Sequence, residues 1–176
     1  MTWQVREPGP DDADAVASIN VRGWQHAYRG LMPDALLDAQ ETGPRAERLR
    51  QRFADGTAAP GYVAVDEAGT VAGYCWFGDY RPDDDAPDPG DLAVERWAEV
   101  YAIYVDPDRI GTGAGAALMT AALEAIGDRP VGLWVLEGNA PSRRFYERFG
   151  FTPDGVSADY DAGGTPVPEV RYVRRR

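Results

Sequence analysis

Apolar positions along the chain alternate between two periods, and the switches between them predict its elements. Val16, Ile19, Gly23 and Trp24 recur at helical spacing. They give a helix from Asp11 or Asp12, either of which suits an N-cap, to about Tyr28. Pro33 starts a second short helix through Leu36 and Leu37. Thr42 caps a third over 45–53, behind Pro44. Residues 62–65 and 71–77 are dense in strand formers and flank Asp66-Glu-Ala-Gly69, which predicts an antiparallel hairpin. Residues 4–7, 97–105, 131–136 and 169–174 read as further strands. Residues 116–126 and 140–148 read as helices, the latter stopped by Gly150-Phe151. Between them, residues 78–90 are rich in Pro and Asp without apolar periodicity, as expected of a solvated loop. Strands interspersed with helices in this way predict a mixed α/β (α+β) sheet, in one domain over 1–176.

Charge and composition narrow the chemistry. The net charge of −11 argues against nonspecific nucleic-acid binding, which needs basic surface, and is compatible with a cationic substrate. All 18 basic residues are Arg. The absence of Lys excludes Schiff-base catalysis and a phosphate loop built on Gly-Lys-Ser/Thr. Arg171, Arg174, Arg175 and Arg176 read as a frayed basic end after the last strand. Cys75 is the only cysteine, so no internal disulfide forms, and within a strand-like run it is expected to be buried filler. No apolar run approaches the ~20 residues of a membrane span, and the first residues lack a basic start with an apolar stretch. A cytoplasmic protein without a membrane partner is expected. No metal site is assigned, and a homodimer is expected only as the commonest soluble oligomer.

The chemistry concentrates between Tyr101 and Phe151. The strand ending at Val105 is broken by Asp106-Pro107-Asp108-Arg109, and Gly111-Thr-Gly113-Ala-Gly115 then opens an apolar helix. Glycines between a strand and a helix start expose backbone N–H groups, and the helix dipole adds partial positive charge. A phosphate-bearing ligand is therefore expected there. Gly111-x-Gly113-x-x-Ala116 also matches the dinucleotide fingerprint, with Glu137 at the ribose-binding spacing. Against that reading, the first glycine comes late after Val105. About a hundred residues precede the unit, and too few follow for a second half-sheet.

Coenzyme A is the other reading. Val105-Asp-Pro107 followed by Ile110-Gly-Thr-Gly113-Ala-Gly115 resembles the GCN5-related N-acetyltransferase (GNAT) family. That family's pattern is a strand ending V-x-P and then Q/R-x-x-G-x-G/A. Ile110 stands at the Gln/Arg position, with Arg109 one residue earlier. A second signature is similar: strand 133–136, Asn139-Ala-Pro-Ser142, Tyr146 and Gly150-Phe151. Trp24-x-x-x-Tyr28-x-Gly-Leu31-x-Pro33 looks like a bacterial branch of the family. The resemblance covers nearly the whole chain. It implies a mostly antiparallel mixed sheet with helices on both faces, and parallel strands 97–105 and 131–136 splayed apart to admit the pantetheine arm.

The resemblance also implies an acetyl-CoA-dependent transfer to an amine of a small molecule or peptide, by direct attack in a ternary complex. A non-catalytic acyl-CoA-binding module on the same fold is the alternative. Ile110, Gly111, Thr112, Gly113, Ala114, Gly115 and Ala116, with Arg109, would hold the pyrophosphate. Ile103, Tyr104 and Val105 would pair with the pantetheine, and the Ile103 N–H is nominated as oxyanion donor. Asn139, Ser142 and Tyr146 share a helix face, and the Tyr146 phenol would protonate the departing thiolate. Arg143 sits in a first helical turn, where the dipole disfavours cations unless an anion is met; it is assigned to the cofactor. Glu99, six residues before Val105, would receive the amine and is nominated to deprotonate it, with His26 or water as the other routes, and partial desolvation there could raise its pKa. Trp24, His26 and Tyr28 on the first helix are expected to touch the acceptor.

Overall fold

The computed structural model describes residues 2–81 and 97–175. Seven strands form one sheet in the order β1-β2-β3-β4-β5-β7-β6. The first four are β1 (Gln4–Arg6), β2 (Gly61–Val65), β3 (Val71–Asp79) and β4 (Ala98–Val105). The rest are β5 (Val131–Leu136), β6 (Thr152–Asp161) and β7 (Pro166–Arg174). Every neighbouring pair is antiparallel except β4 and β5. Between that parallel pair only Ala98↔Val131 and Glu99↔Gly132 are in register. Beyond Glu99 the strands part, which bears out the expected splay.

Helices cover both faces. On one lie α1 (Ala13–Tyr28), α2 (Asp34–Asp38) and α3 (Thr42–Ala54). Val16 and Ile19 of α1 and Leu49 of α3 pack there against Val63, Val65, Tyr74 and Tyr104. On the other lie α4 (Ala114–Ile126) and α5 (Ala140–Glu147). Ala114, Leu118, Met119, Ala122 and Ile126 of α4 meet Ala64, Cys75, Val100, Val131 and Leu133. The strand period of two sends alternate side chains of β3 to these two cores, Tyr74 to one and Cys75 to the other. Burial raises the Cys75 thiol to about 12, as befits the expected filler.

Several expectations change. β6 was not foreseen, because it is an edge strand with alternating exposure and carries Pro153 and Gly155. The strand 71–77 continues to Asp79, and the remainder of the acidic loop, 82–90, lies outside the described residues. The helix expected from Arg45 begins at Thr42, because Pro44 is tolerated in a first turn whose N–H groups lack partners in any case. Arg171 is no frayed end. It is 2% exposed within β7, with its guanidinium on Asp154 Oδ2 at 2.8 Å and on the Tyr80 hydroxyl at 3.1 Å. A buried cation needs such partners, which the neighbouring strand β6 and the end of β3 supply.

Candidate active site

The splay opens a cavity of about 340 Å³. β4 forms one wall. Asp106 N–H donates to the Ala72 carbonyl at 2.8 Å, on the β3 side. Peptide groups alternate along an extended strand, so Tyr104 also faces β3, and the N–H and C=O of Ile103 and Val105 face the gap. No β5 rung meets them. A ligand with amide groups can therefore add hydrogen bonds there as a further strand would.

At the end of β4 the glycine turn leads into α4. Gly111 and Gly113 have φ of +81° and +96°, a region that disfavours any side chain. Space around a Cβ at Gly111 is open. The amides of Gly111, Gly113, Ala114, Gly115 and Ala116 have no protein acceptor among the described residues. Five donors at a helix start are a fit for a pyrophosphate. The turn is pinned from an unforeseen direction: Trp3 Nε1, just before β1, donates to the Thr112 carbonyl at 3.0 Å. Gly115 packs against Val105 and Phe145 instead, so its small size serves helix packing. Ile110 is 55% exposed, an apolar side chain at the turn's rim. Among the described residues the Arg109 guanidinium reaches only Asp66, at 3.5 Å.

α5 lies across the gap. Asn139 is buried and caps it, its Oδ1 accepting from Ser142 N–H at 3.2 Å. Asn139, Ser142 and Tyr146 all line the cavity. Burial pushes the Tyr146 phenol well above its ordinary pKa, with smaller contributions from Tyr28 and Cys75. The phenol stays protonated at any working pH. Arg143 has protein partners instead of an open guanidinium: it donates to the Tyr172 hydroxyl at 2.9 Å and to the Glu137 carbonyl at 3.0 Å. The dipole argument for a phosphate at Arg143 missed these partners, because both come from other elements.

The remaining wall is aromatic. Trp24, His26 and Tyr28 of α1 line it, and Trp134, Tyr160 and Glu169 join them from β5, β6 and β7. Trp24 meets Tyr28 and Tyr160 edge-on, at 5.3 and 6.3 Å between ring centroids. The Tyr28 and Tyr104 hydroxyls are 2.7 Å apart. Gly23 makes that contact possible, because a Cβ there would stand 2.8 Å from the Tyr104 ring. Burial raises both phenols, Tyr104 most. Glu99 is 5% exposed on the cavity wall. Its Oε2 accepts from Arg81 N–H at 3.0 Å and its Oε1 from Arg81 Nη2 at 2.9 Å. Arg81 in turn lies over the Tyr101 ring at 3.8 Å. Sequence spacing carried no signal for Arg81, Tyr160 or Glu169, which tertiary pairing alone brings here.

A model of the acetyltransferase (GNAT) family matches residues 24–151, which run from Trp24 through the glycine turn to Phe151. The chain belongs to this family. It is an N-acetyltransferase, with acetyl-CoA as its cosubstrate. Among its relatives, this acetyltransferase is 29% identical over 170 residues to the "uncharacterized N-acetyltransferase YuaI" of Bacillus subtilis (strain 168), covering 94% of this chain and 89% of that one. It is 32% identical over 157 residues to a mycothiol acetyltransferase of Amycolatopsis mediterranei, covering 87% of this chain but 46% of that protein. It thus spans less than half the length of that relative. The acetyltransferase also shares its fold with the PaiA N-acetyltransferase of Thermoplasma acidophilum, solved with coenzyme A. Their TM-score is 0.70 at 16% identity, over the whole of both chains.

Proposed function

We propose that this acetyltransferase transfers the acetyl group to a primary amine of a small molecule or peptide, by direct attack in a ternary complex. The observation that carries the reading is the unpaired edge of β4. It faces a cavity whose opposite wall is aromatic and carboxylate-bearing, and the chain beyond it turns into the free amides of the α4 start.

The donor lies along β4, with its pyrophosphate on the amides of residues 111–116. Its thioester carbonyl meets the Ile103 N–H, which stabilises the oxyanion as the neutral amine adds to the carbonyl carbon. The nitrogen loses its extra proton to Glu99 or water, and collapse then breaks the C–S bond and leaves a thiolate. Tyr146 donates a hydrogen bond to that sulfur. A phenol raised this far transfers its proton to a thiolate only uphill, so hydrogen bonding is its main service and a solvent proton completes the step. Trp24, His26 and Tyr28 hold the acceptor. Glu99 receives its cationic form at the cavity wall, and its Oε1, which accepts from Arg81 Nη2, keeps a second lone pair that can take a proton.

Release of free CoA from acetyl-CoA, followed with a thiol reagent across a panel of amines, tests the reading. At least one primary amine should give acetylated product with turnover well above hydrolysis. Tight acetyl-CoA binding with no amine-dependent release would refute it and make the protein a binding module.

A further inference from the structure

A second crevice, of about 250 Å³, lies between α1 and α3 over β3 and β4. Arg45, Arg48 and Arg52 line it from α3, Asn20 from α1, and Tyr74 and Trp76 from β3. Spacings of three and four residues place the three arginines on one face of α3. Like charges in such a row repel, and a chain of net charge −11 has carboxylates enough to neutralise them. Arg50 of the same helix does so, pairing with Asp14 and Glu47. Among the described residues Arg48 and Arg52 have no carboxylate partner, and Arg45 bonds only the Gln40 amide and lies 5.6 Å over Trp24. Beneath the crevice, Asn20 Nδ2 donates to the Tyr74 hydroxyl at 2.5 Å, and both Tyr74 and Asn20 Oδ1 are closed to solvent.

We infer that this crevice binds a small oxyanion: a carboxylate or phosphate ester on a planar apolar body. The arginines take the oxyanion. Trp76, partly exposed on the crevice wall, offers its ring to the body. Apart from Ala102, the lining is separate from that of the acetyl-transfer cavity, and the site does not depend on the acceptor of that reaction.

Calorimetry with the whole protein, saturated with CoA so that the glycine turn is occupied, tests the inference. The probes are phenyl phosphate, benzoate and phenol. The two anions should bind saturably and phenol should not. Arg48→Gln/Arg52→Gln should weaken the anions at least about tenfold, and Arg50→Gln should leave them unchanged. Should the double variant fail to fold, each single Arg variant should weaken binding on its own. Absence of saturable heat up to about 20 mM, well above millimolar affinity, overturns the inference. So does anion binding that survives loss of both arginines.

Discussion

Gly113 is the position where a single methyl group tests the phosphate site most directly. Its φ is +96°, and an added Cβ would find its nearest protein atom, Trp3 Cδ1, at 3.8 Å. That is ordinary contact, so Gly113→Ala introduces backbone strain without a clash. Holding an L residue in the left-handed region costs roughly 1–2 kcal/mol. For a chain of this size that lowers Tm by about 2–8 °C. The methyl also stands among the free amides of Gly111, Gly113, Ala114, Gly115 and Ala116, where the pyrophosphate would approach. Acetyl-CoA affinity should therefore fall at least about tenfold, or ~1.4 kcal/mol. Gly56→Ala is the control. Its φ is +68°, its surroundings are open, and it lies beyond α3. It should lose comparable stability and no affinity. Thermal unfolding and titration calorimetry read both quantities. A folded Gly113→Ala protein with unchanged acetyl-CoA affinity refutes the phosphate assignment, and equal affinity losses in the two variants would reduce it to a stability effect.

Three further outcomes are expected. Tyr146→Phe should lower kcat by about 10²-fold with little change in acetyl-CoA affinity, as loss of a positioned donor does; a variant with wild-type kcat, where chemistry limits the rate, excludes the role. Glu99→Gln should lower kcat/KM and remove a low-pH limb if the carboxylate takes a proton. If Glu99 only receives the cation, KM should rise with kcat and the limb intact, and unchanged parameters would exclude both roles. The Cys75 thiol holds its proton to about 12 in the folded protein and to about 9 when unfolded. Its contribution to stability is complete below about pH 9 and is lost as pH rises through 12. Urea unfolding at pH 8 to 11 should show the decline, and a thiol reagent should label Cys75 at pH 8 only when the protein unfolds.

The sequence made legible whatever depends on neighbours along the chain. The glycine turn, the apolar stripe of α4 and the Asn139 cap all follow from spacing within a dozen residues, and the structure has them where expected. The splay itself was implied by family resemblance, not by pattern. What stayed hidden depends on partners far apart in the chain. β6 has no apolar run, because one of its sides meets only solvent. Trp3 lies 109 positions from the carbonyl it holds. Arg81 reaches Glu99 across 18 positions, which turns an expected open carboxylate into a paired one. Arg171 looked like part of a charged tail, since composition cannot distinguish a solvated arginine from one matched to Asp154 and Tyr80 inside the fold.

The two rungs between β4 and β5 carry a kinetic consequence. They divide the sheet into two panels joined along a short seam at Ala98–Glu99. The proposed acceptor wall straddles that seam, with Tyr104 on one panel, Trp134, Tyr160 and Glu169 on the other, and Tyr28 of α1 bonded to Tyr104 while packing beside Tyr160 and Leu136. Its shape therefore follows the angle between the panels. A donor stitched along β4 fixes that angle, so the amine should find a finished pocket only after acetyl-CoA has bound. Steady-state turnover should then be ordered, with CoA inhibiting competitively against acetyl-CoA and noncompetitively against the amine. An amine that binds the donor-free protein as tightly as the donor-bound one would show that the seam is stiff by itself.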